Sequence, residues 1–149
     1  MSLQDVKDNE KNLIGSFPNT YTFTKNLAEK YIKKNQDNVK CVIVRPSIIA
    51  SSLNQPFKGW TDSISAAGGL TVLGTLGILK YMHIPKPNPF DIVPVDIVSN
   101  SILVVTAFHG GIGKTETAAL SIYNTTTTSQ NPITMEGYKD IGIKSLKYV

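Results

Sequence analysis

Apolar side chains recur with helical spacing between residues 20 and 36: Phe23, Leu27 and Tyr31 stand at i, i+4 and i+8, and Tyr21, Lys25, Ala28 and Ile32 mark an adjoining stripe. The spacing predicts a helix from about Thr20 to Gln36. The loop Gly15-Ser16-Phe17-Pro18-Asn19 delivers it, with Pro18 tolerated near the first turn. Lys30, Lys33 and Lys34 sit where the last-turn carbonyls favour positive charge, and Asn35-Gln36-Asp37-Asn38 breaks the pattern. The texture then changes: Val39 to Val44 is a nearly continuous apolar run rich in β-branched residues, the mark of a central strand covered on both faces, and Pro46 stops it. A helix followed so closely by such a strand is half of a βαβ unit, which predicts a parallel sheet whose other strands lie upstream.

From Ser47 to Pro89 the chain turns to Ser, Gly, Pro and aromatics, including Gln55-Pro56-Phe57-Lys58-Gly59-Trp60 and Ile84-Pro85-Lys86-Pro87-Asn88-Pro89, and reads as an excursion on the ligand side of a sheet. Seventeen uncharged residues, Ser63 to Leu79, form a buried or ligand-facing segment; Gly68, Gly69, Gly74 and Gly77 interrupt them, and they fall short of the ~20 apolar residues of a membrane span. Asp91 to Val95 is a short extended piece, Asp96 an N-cap, and Ile97 to Phe108 an apolar helix closed by His109-Gly110-Gly111. Ala118 to Tyr123 is a second strand, and Asn131-Pro132 has the pairing of another helix start. Residues 1–16 are polar and irregular, Thr125 to Thr128 is a loop, and no internal repeat is found.

Composition narrows the function classes. With 149 residues, 41% hydrophobic and 17% charged, the chain has the make-up of one globular domain, and it is shorter than the roughly 250 residues that a free-standing dinucleotide-dependent enzyme needs for both its sheet and its substrate region. A net charge of +4 without any basic run gives no nucleic-acid signature. The one cysteine, Cys41, lies in the apolar run and reads as a buried thiol in a reducing, intracellular compartment. Two histidines, His83 and His109, without clustered carboxylates predict no metal site. Gly110-Gly111-Ile112-Gly113-Lys114-Thr115 ends like a phosphate-binding loop, but Phe108 stands where the motif requires a glycine, so a helix cap and turn is the better account.

One pair carries chemistry. Tyr21 and Lys25, four positions apart on the predicted helix, emerge on the same face, and an ammonium beside a phenol favours the phenolate and so makes the phenol a better proton donor. Spacing alone is also met by an amphipathic helix with a solvated lysine, since chance gives roughly half of one such pair in a chain of this composition.

The surroundings weight the choice. Pro18-Asn19-Thr20-Tyr21 through Glu29, then Arg45-Pro46-Ser47-Ile48, then Gln55 through Asp62, then Asp91-Ile92-Val93-Pro94-Val95-Asp96, and finally Tyr123-Asn124 with Asn131-Pro132-Ile133-Thr134 occur in an order that resembles the extended short-chain dehydrogenase/reductases, and within them the fatty acyl-CoA reductases or male-sterility proteins. The resemblance covers about residues 16–136; the Pro-Phe-x-Gly-Trp and Asn-Pro-Ile-Thr phrases are its discriminating parts. It implies an α/β fold: a partial NAD(P)-binding Rossmann-type domain with the catalytic helix, the following parallel strand and the substrate-binding portion, lacking the N-terminal glycine-rich half. The implied division is a polar leader over 1–16, the C-terminal part of a reductase domain over 17–136 and a truncated tail over 137–149.

The resemblance also implies NADPH as cofactor and a fatty acyl-CoA reduced through an aldehyde to an alcohol by the intact parent, the fragment being inactive alone. Tyr21 would be the proton donor, Lys25 would hold the nicotinamide ribose, Arg45, Pro46 and Ser47 would border the nicotinamide, and Phe57 and Trp60 would line the substrate site. For Arg45-Pro46 a strand terminator, and for Phe57 and Trp60 loop packing, stay open beside those roles. The same motifs serve relatives acting on a nucleotide sugar, a sterol or a carrier-bound thioester, and the missing cofactor half leaves open a non-catalytic interaction module. Association with a membrane, at the peroxisome or endoplasmic reticulum, is implied for the parent, as is oligomerisation through an exposed sheet edge.

Overall fold

A computed structural model describes residues 2–37, 39–64, 67–83, 85, 87–112 and 120–146. The chain divides into two compact units, Met1–Ile43 with Glu116–Ser121 and Val44–Thr115 with Ile122–Val149.

The first unit opens with two short helices, α1 (Leu3–Asp8) and α2 (Glu10–Ile14). They correct the expectation of an irregular start. Ser2 Oγ accepts from the Asp5 N–H at 3.1 Å and the Asp5 carboxylate accepts from the Ser2 N–H at 2.7 Å, a reciprocal cap made by the very polar residues that hide any apolar period. α3 (Thr20–Asn35) starts at the expected residue and ends one short of Gln36. Asn19 is its cap, accepting from the Thr22 N–H at 2.9 Å, and the Phe17 and Phe23 rings meet edge-on at 5.6 Å across the first turn. Asp37, at φ 45°, ends the helix segment in a left-handed turn.

The covered side of α3 is Thr22, Phe23, Asn26 and Glu29, while Leu27 (53% exposed) and Tyr31 (68%) face outward. Of the stripe Phe23, Leu27 and Tyr31 only Phe23 is partly covered, with Phe17 packed on it. β1 (Val42–Pro46) begins later than Val39, which is held in a turn by its N–H to the Gln36 carbonyl at 2.8 Å, and it includes Pro46 as its last residue. Cys41 is free and half-buried, less enclosed than its apolar run suggested.

In the second unit β1 is followed by β2 (Ile48–Ala50), α4 (Ala67–Thr75), β3 (Ile92–Pro94), α5 (Val95–Ala107), β4 (Ser121–Thr125) and α6 (Met135–Leu146). β1 pairs with β4, and β2 pairs with β3 in parallel, Ile49 opposite Val93. The expected α/β class is therefore present, but the parallel pairing falls to β2 and β3, and the partner of β1 is β4, downstream in the chain and not upstream as expected; the core of this unit gathers at Val93, Ala67 and Val98.

Four expectations shift. The uncharged run after Ser63 forms α4, buried only at Ala67, with Val72, Leu73, Leu76 and Ile78 exposed. α5 starts at Val95 with Pro94 in the cap position and no side-chain cap, the Asp96 carboxylate being engaged elsewhere. α6 starts at Met135, not at Asn131-Pro132, because residues 133–135 first pair with the Pro-rich segment: the Phe90 N–H reaches the Ile133 carbonyl at 2.7 Å, and Thr134 Oγ1 then caps the helix at the Gly137 N–H, 3.1 Å. The strand expected over Ala118 to Tyr123 is observed as Ser121–Thr125; Ala118 and Ala119, like Lys114 and Thr115 of the glycine-rich turn, lie outside the described residues. The expected close of α5 holds: after Ala107 the helical backbone breaks at Gly111, whose φ of 152° is a conformation open to glycine.

Candidate functional site

The Asn19 cap fixes where α3 begins and so places Tyr21 in its first turn, with Lys25 one turn on. Tyr21 is 68% exposed, and the Lys25 ammonium stands over its ring, 5.6 Å from the centroid. One helix face thus carries a phenol and an ammonium one turn apart, both groups able to donate hydrogen bonds.

Arg45, Pro46 and Ser47 belong to the second unit and sit at a fork. The Ser47 N–H donates to the Thr125 carbonyl at 3.0 Å, and the next N–H, that of Ile48, donates to the Asp91 carbonyl at 3.2 Å, so within one residue the chain leaves β4 for β3. A crevice beyond strand ends where neighbours change is where open α/β sheets bind ligands. Arg45 and Pro46 are exposed there and Ser47 is half-buried.

Asp91 ties the fork together. Its carboxylate accepts from the Thr127 N–H at 2.9 Å and from the Thr127 hydroxyl at 3.1 Å. Desolvation pushes the acid up, but the Thr127 N–H and the hydroxyls of Thr128, Ser47 and Thr127 outweigh it and hold the carboxyl down to about 2. The threonine run read as a plain loop is therefore an anchor.

Phe57 and Trp60 lie on one closed loop. Ser52, only 4% exposed, donates its hydroxyl to the Phe57 carbonyl at 2.6 Å and accepts from the Trp60 N–H at 3.1 Å, while its N–H meets the Trp60 carbonyl at 2.9 Å. Asp96 clamps the same loop to α5: its carboxylate accepts from the N–H groups of Leu53 (2.9 Å), Asn54 (2.9 Å) and Gln55 (3.2 Å). The Leu53 N–H, opposed by desolvation and joined by the Asn54, Gln55 and Asp96 N–H groups, lowers this carboxyl to about 2. Phe57 stands 62% exposed on the loop, whereas Trp60 lines an open groove of about 320 Å³ with Gln55, Pro56, Val95, Ser99 and Asn100.

Sequence reasoning missed Ser52, Asp91, Asp96 and Thr127 as organisers of these surfaces. The one available signal was an acidic residue at each end of the apolar run Ile92 to Val95.

The ribose end of a nicotinamide dinucleotide fits the Tyr21–Lys25 donors; a pyrophosphate finds no seat among the described residues. At Gly69, which has the tightest surroundings among the described glycines, an added Cβ would come 2.9 Å from the Ile64 carbonyl oxygen, an acceptor that repels phosphate. No group of three metal-ligating side chains occurs among the described residues, and no helix among them is long and apolar enough to cross a membrane.

Comparison with known proteins bears on the whole arrangement. The family model described as male sterility protein, an NAD-binding model, matches residues 2–102. The chain is 38% identical over 127 residues to fatty acyl-CoA reductase 1 of Xenopus laevis and 39% identical over 127 residues to that of Rattus norvegicus, each match covering 85% of this chain and 24% of the relative. It is 30% identical over 135 residues to probable fatty acyl-CoA reductase 5 of Arabidopsis thaliana, covering 91% of this chain and 26% of the relative. The chain thus spans about a quarter of the length of these curated relatives. With that match running from α1 through the fork into α5, and with the α/β fold of a partial NAD-binding Rossmann-like domain, the chain belongs to the NAD-binding male sterility protein family.

Proposed function

We propose that these residues form the catalytic-helix and substrate-side portion of an NADPH-dependent fatty acyl-CoA reductase, which converts a long-chain acyl-CoA through an aldehyde to a fatty alcohol. The observation that carries the reading is the exposed Tyr21 phenol with the Lys25 ammonium over its ring on α3. NADPH, when bound, would supply one hydride per molecule, so the two reductions would consume two NADPH in turn, with Tyr21 reprotonated between them. In each, the Tyr21 hydroxyl gives its proton to the carbonyl oxygen as negative charge develops there, and the Lys25 ammonium holds the ribose hydroxyls and steadies the phenolate left behind. After the first reduction the carbon–sulfur bond breaks, CoA leaves as the thiol and the aldehyde remains; the second yields the alcohol.

In this reading Arg45, Pro46 and Ser47 border the nicotinamide at the fork, and Trp60 with Phe57 meets the substrate. The described residues build no pyrophosphate seat, and in this reading the 149 residues alone do not turn over. The protein acts inside the cell, in the cytoplasm or at the peroxisomal or endoplasmic-reticulum surface.

The lack of such a seat among the described residues favours one other reading, a non-catalytic module of the same ancestry. The test is NADPH oxidation by the native full-length polypeptide with palmitoyl-CoA and with a UDP-sugar, products resolved by chromatography. Hexadecanol from palmitoyl-CoA is expected; turnover of the nucleotide sugar alone would replace the substrate class, and turnover of neither would leave the module.

A further inference from the structure

The groove beside Trp60 has a lining that discriminates among the parts of an acyl thioester. Its walls are the clamped loop, through Gln55, Pro56 and Trp60, and the first turns of α5, through Val95, Ser99 and Asn100. A phosphate-bearing nucleotide is a poor occupant: the groove holds no lysine or arginine, and its one charge is the Asp96 carboxylate. A bare acyl chain is also a poor occupant, because Gln55 and Asn100 present side-chain amides that make no hydrogen bond among the described residues, and an alkyl group would strip water from them without replacing it.

The lining instead combines the neutral polar side chains of Gln55, Ser99 and Asn100 with a proline, a tryptophan and a valine. The Asp96 carboxylate is engaged by the loop, Oδ1 accepting from one backbone N–H and Oδ2 from two. An uncharged arm that carries secondary amides and a hydroxyl between short apolar stretches matches that pattern, and a volume of about 320 Å³ is at the lower end of ligand sites.

We propose that this groove is the subsite for the pantetheine arm of the thioester substrate, with the side-chain amides of Gln55 and Asn100 pairing with the arm's amides and Trp60 and Pro56 covering its methyl-bearing segment. The proposal rests on the reductase reading above and names which part of that substrate the groove holds. Asp96 acts as a positioning residue: it fixes the loop that forms one wall and does not touch the arm.

The test varies both partners. In the native full-length polypeptide, kcat/KM is measured for octanoyl thioesters of CoA, pantetheine and ethanethiol, with wild type and with Gln55→Leu and Asn100→Leu, which remove the amide and keep the volume. Each variant is expected to lose about three- to tenfold on the CoA and pantetheine thioesters through KM, and distinctly less on the ethanethiol ester, so that the advantage of pantetheine over ethanethiol narrows. An octanoyl carrier-protein thioester, run in parallel, distinguishes an arm presented on CoA from one presented on a carrier. Equal losses on all thioesters, or no loss on any, would overturn the subsite while leaving the reductase reading in place. A wild-type enzyme that reduces no thioester overturns the reading beneath it.

Discussion

At the scale of single residues, the two carboxylates that organise the second unit make its stability pH-dependent. Asp91 and Asp96 are each held down to about 2 in the folded chain, against an ordinary value near 3.8. A depressed folded value means that the stabilisation is fully present above about pH 4 and is lost as pH falls from there toward 2. Denaturation midpoints should therefore drop through that window, and Asp96→Asn, which puts an NH2 among three N–H donors, should lower the midpoint at neutral pH and flatten the acid slope. An unaltered slope in the variant would remove Asp96 from the account.

Tyr21 and Lys25 were legible in the sequence because their relation is local, four positions on a helix whose start Asn19 declares. Asp96 was not, because its partners lie 41 to 43 residues away, and Asp91 meets Thr127 across 36. Nothing in a linear pattern distinguishes a carboxylate that caps its own helix from one that reaches back to another loop.

Elements show the same division. α3 was found to within a residue, and the stretch from β3 into α5 was recognised, since period and caps are local signals. α1 and α2 went unseen because polar capping residues dominate them, and α4 because its glycines and absence of charge mask a helix. α6 starts four residues after Asn131 because strand-like pairing with Pro89 takes up residues 133–134 first.

Two element-level predictions follow from contacts seen only in the fold. Ser52→Ala removes the hydroxyl that bridges the Phe57 carbonyl and the Trp60 N–H, leaving them only their own bond at 3.2 Å, and should cost about 0.5–1.5 kcal/mol in denaturant unfolding. Trp60 is the only tryptophan, so the loosened loop should also red-shift the intrinsic fluorescence; unchanged emission and stability would contradict the loop's dependence on Ser52. Tyr138 joins α6 to α4 by donating its hydroxyl to the Ala67 carbonyl at 3.0 Å, so Tyr138→Phe should cost about 0.5–1.5 kcal/mol, read in the same unfolding experiment.

At the scale of the whole molecule, the buried apolar side chains among the described residues are Ala67, Val93 and Val98, whereas Leu27, Tyr31, Leu76, Ile78, Leu103 and Val104 are exposed. Each strand pair is two-stranded among the described residues, which leaves strand edges able to recruit neighbours. The isolated 149-residue chain should therefore self-associate with rising concentration in sedimentation velocity; a monodisperse monomer at all concentrations would contradict this.

The central claim is chemical: Tyr21, with Lys25 beside it, delivers the proton in reduction of a fatty acyl thioester. The most direct measurement is NADPH-dependent conversion of palmitoyl-CoA and hexadecanal by the native full-length polypeptide carrying Tyr21→Phe, alongside wild type. The substitution removes one hydroxyl from an exposed ring that keeps its contact with Lys25, so folding should be unaffected and both reductions should fall by about 10²- to 10⁴-fold. Turnover equal to wild type on both substrates would contradict the account.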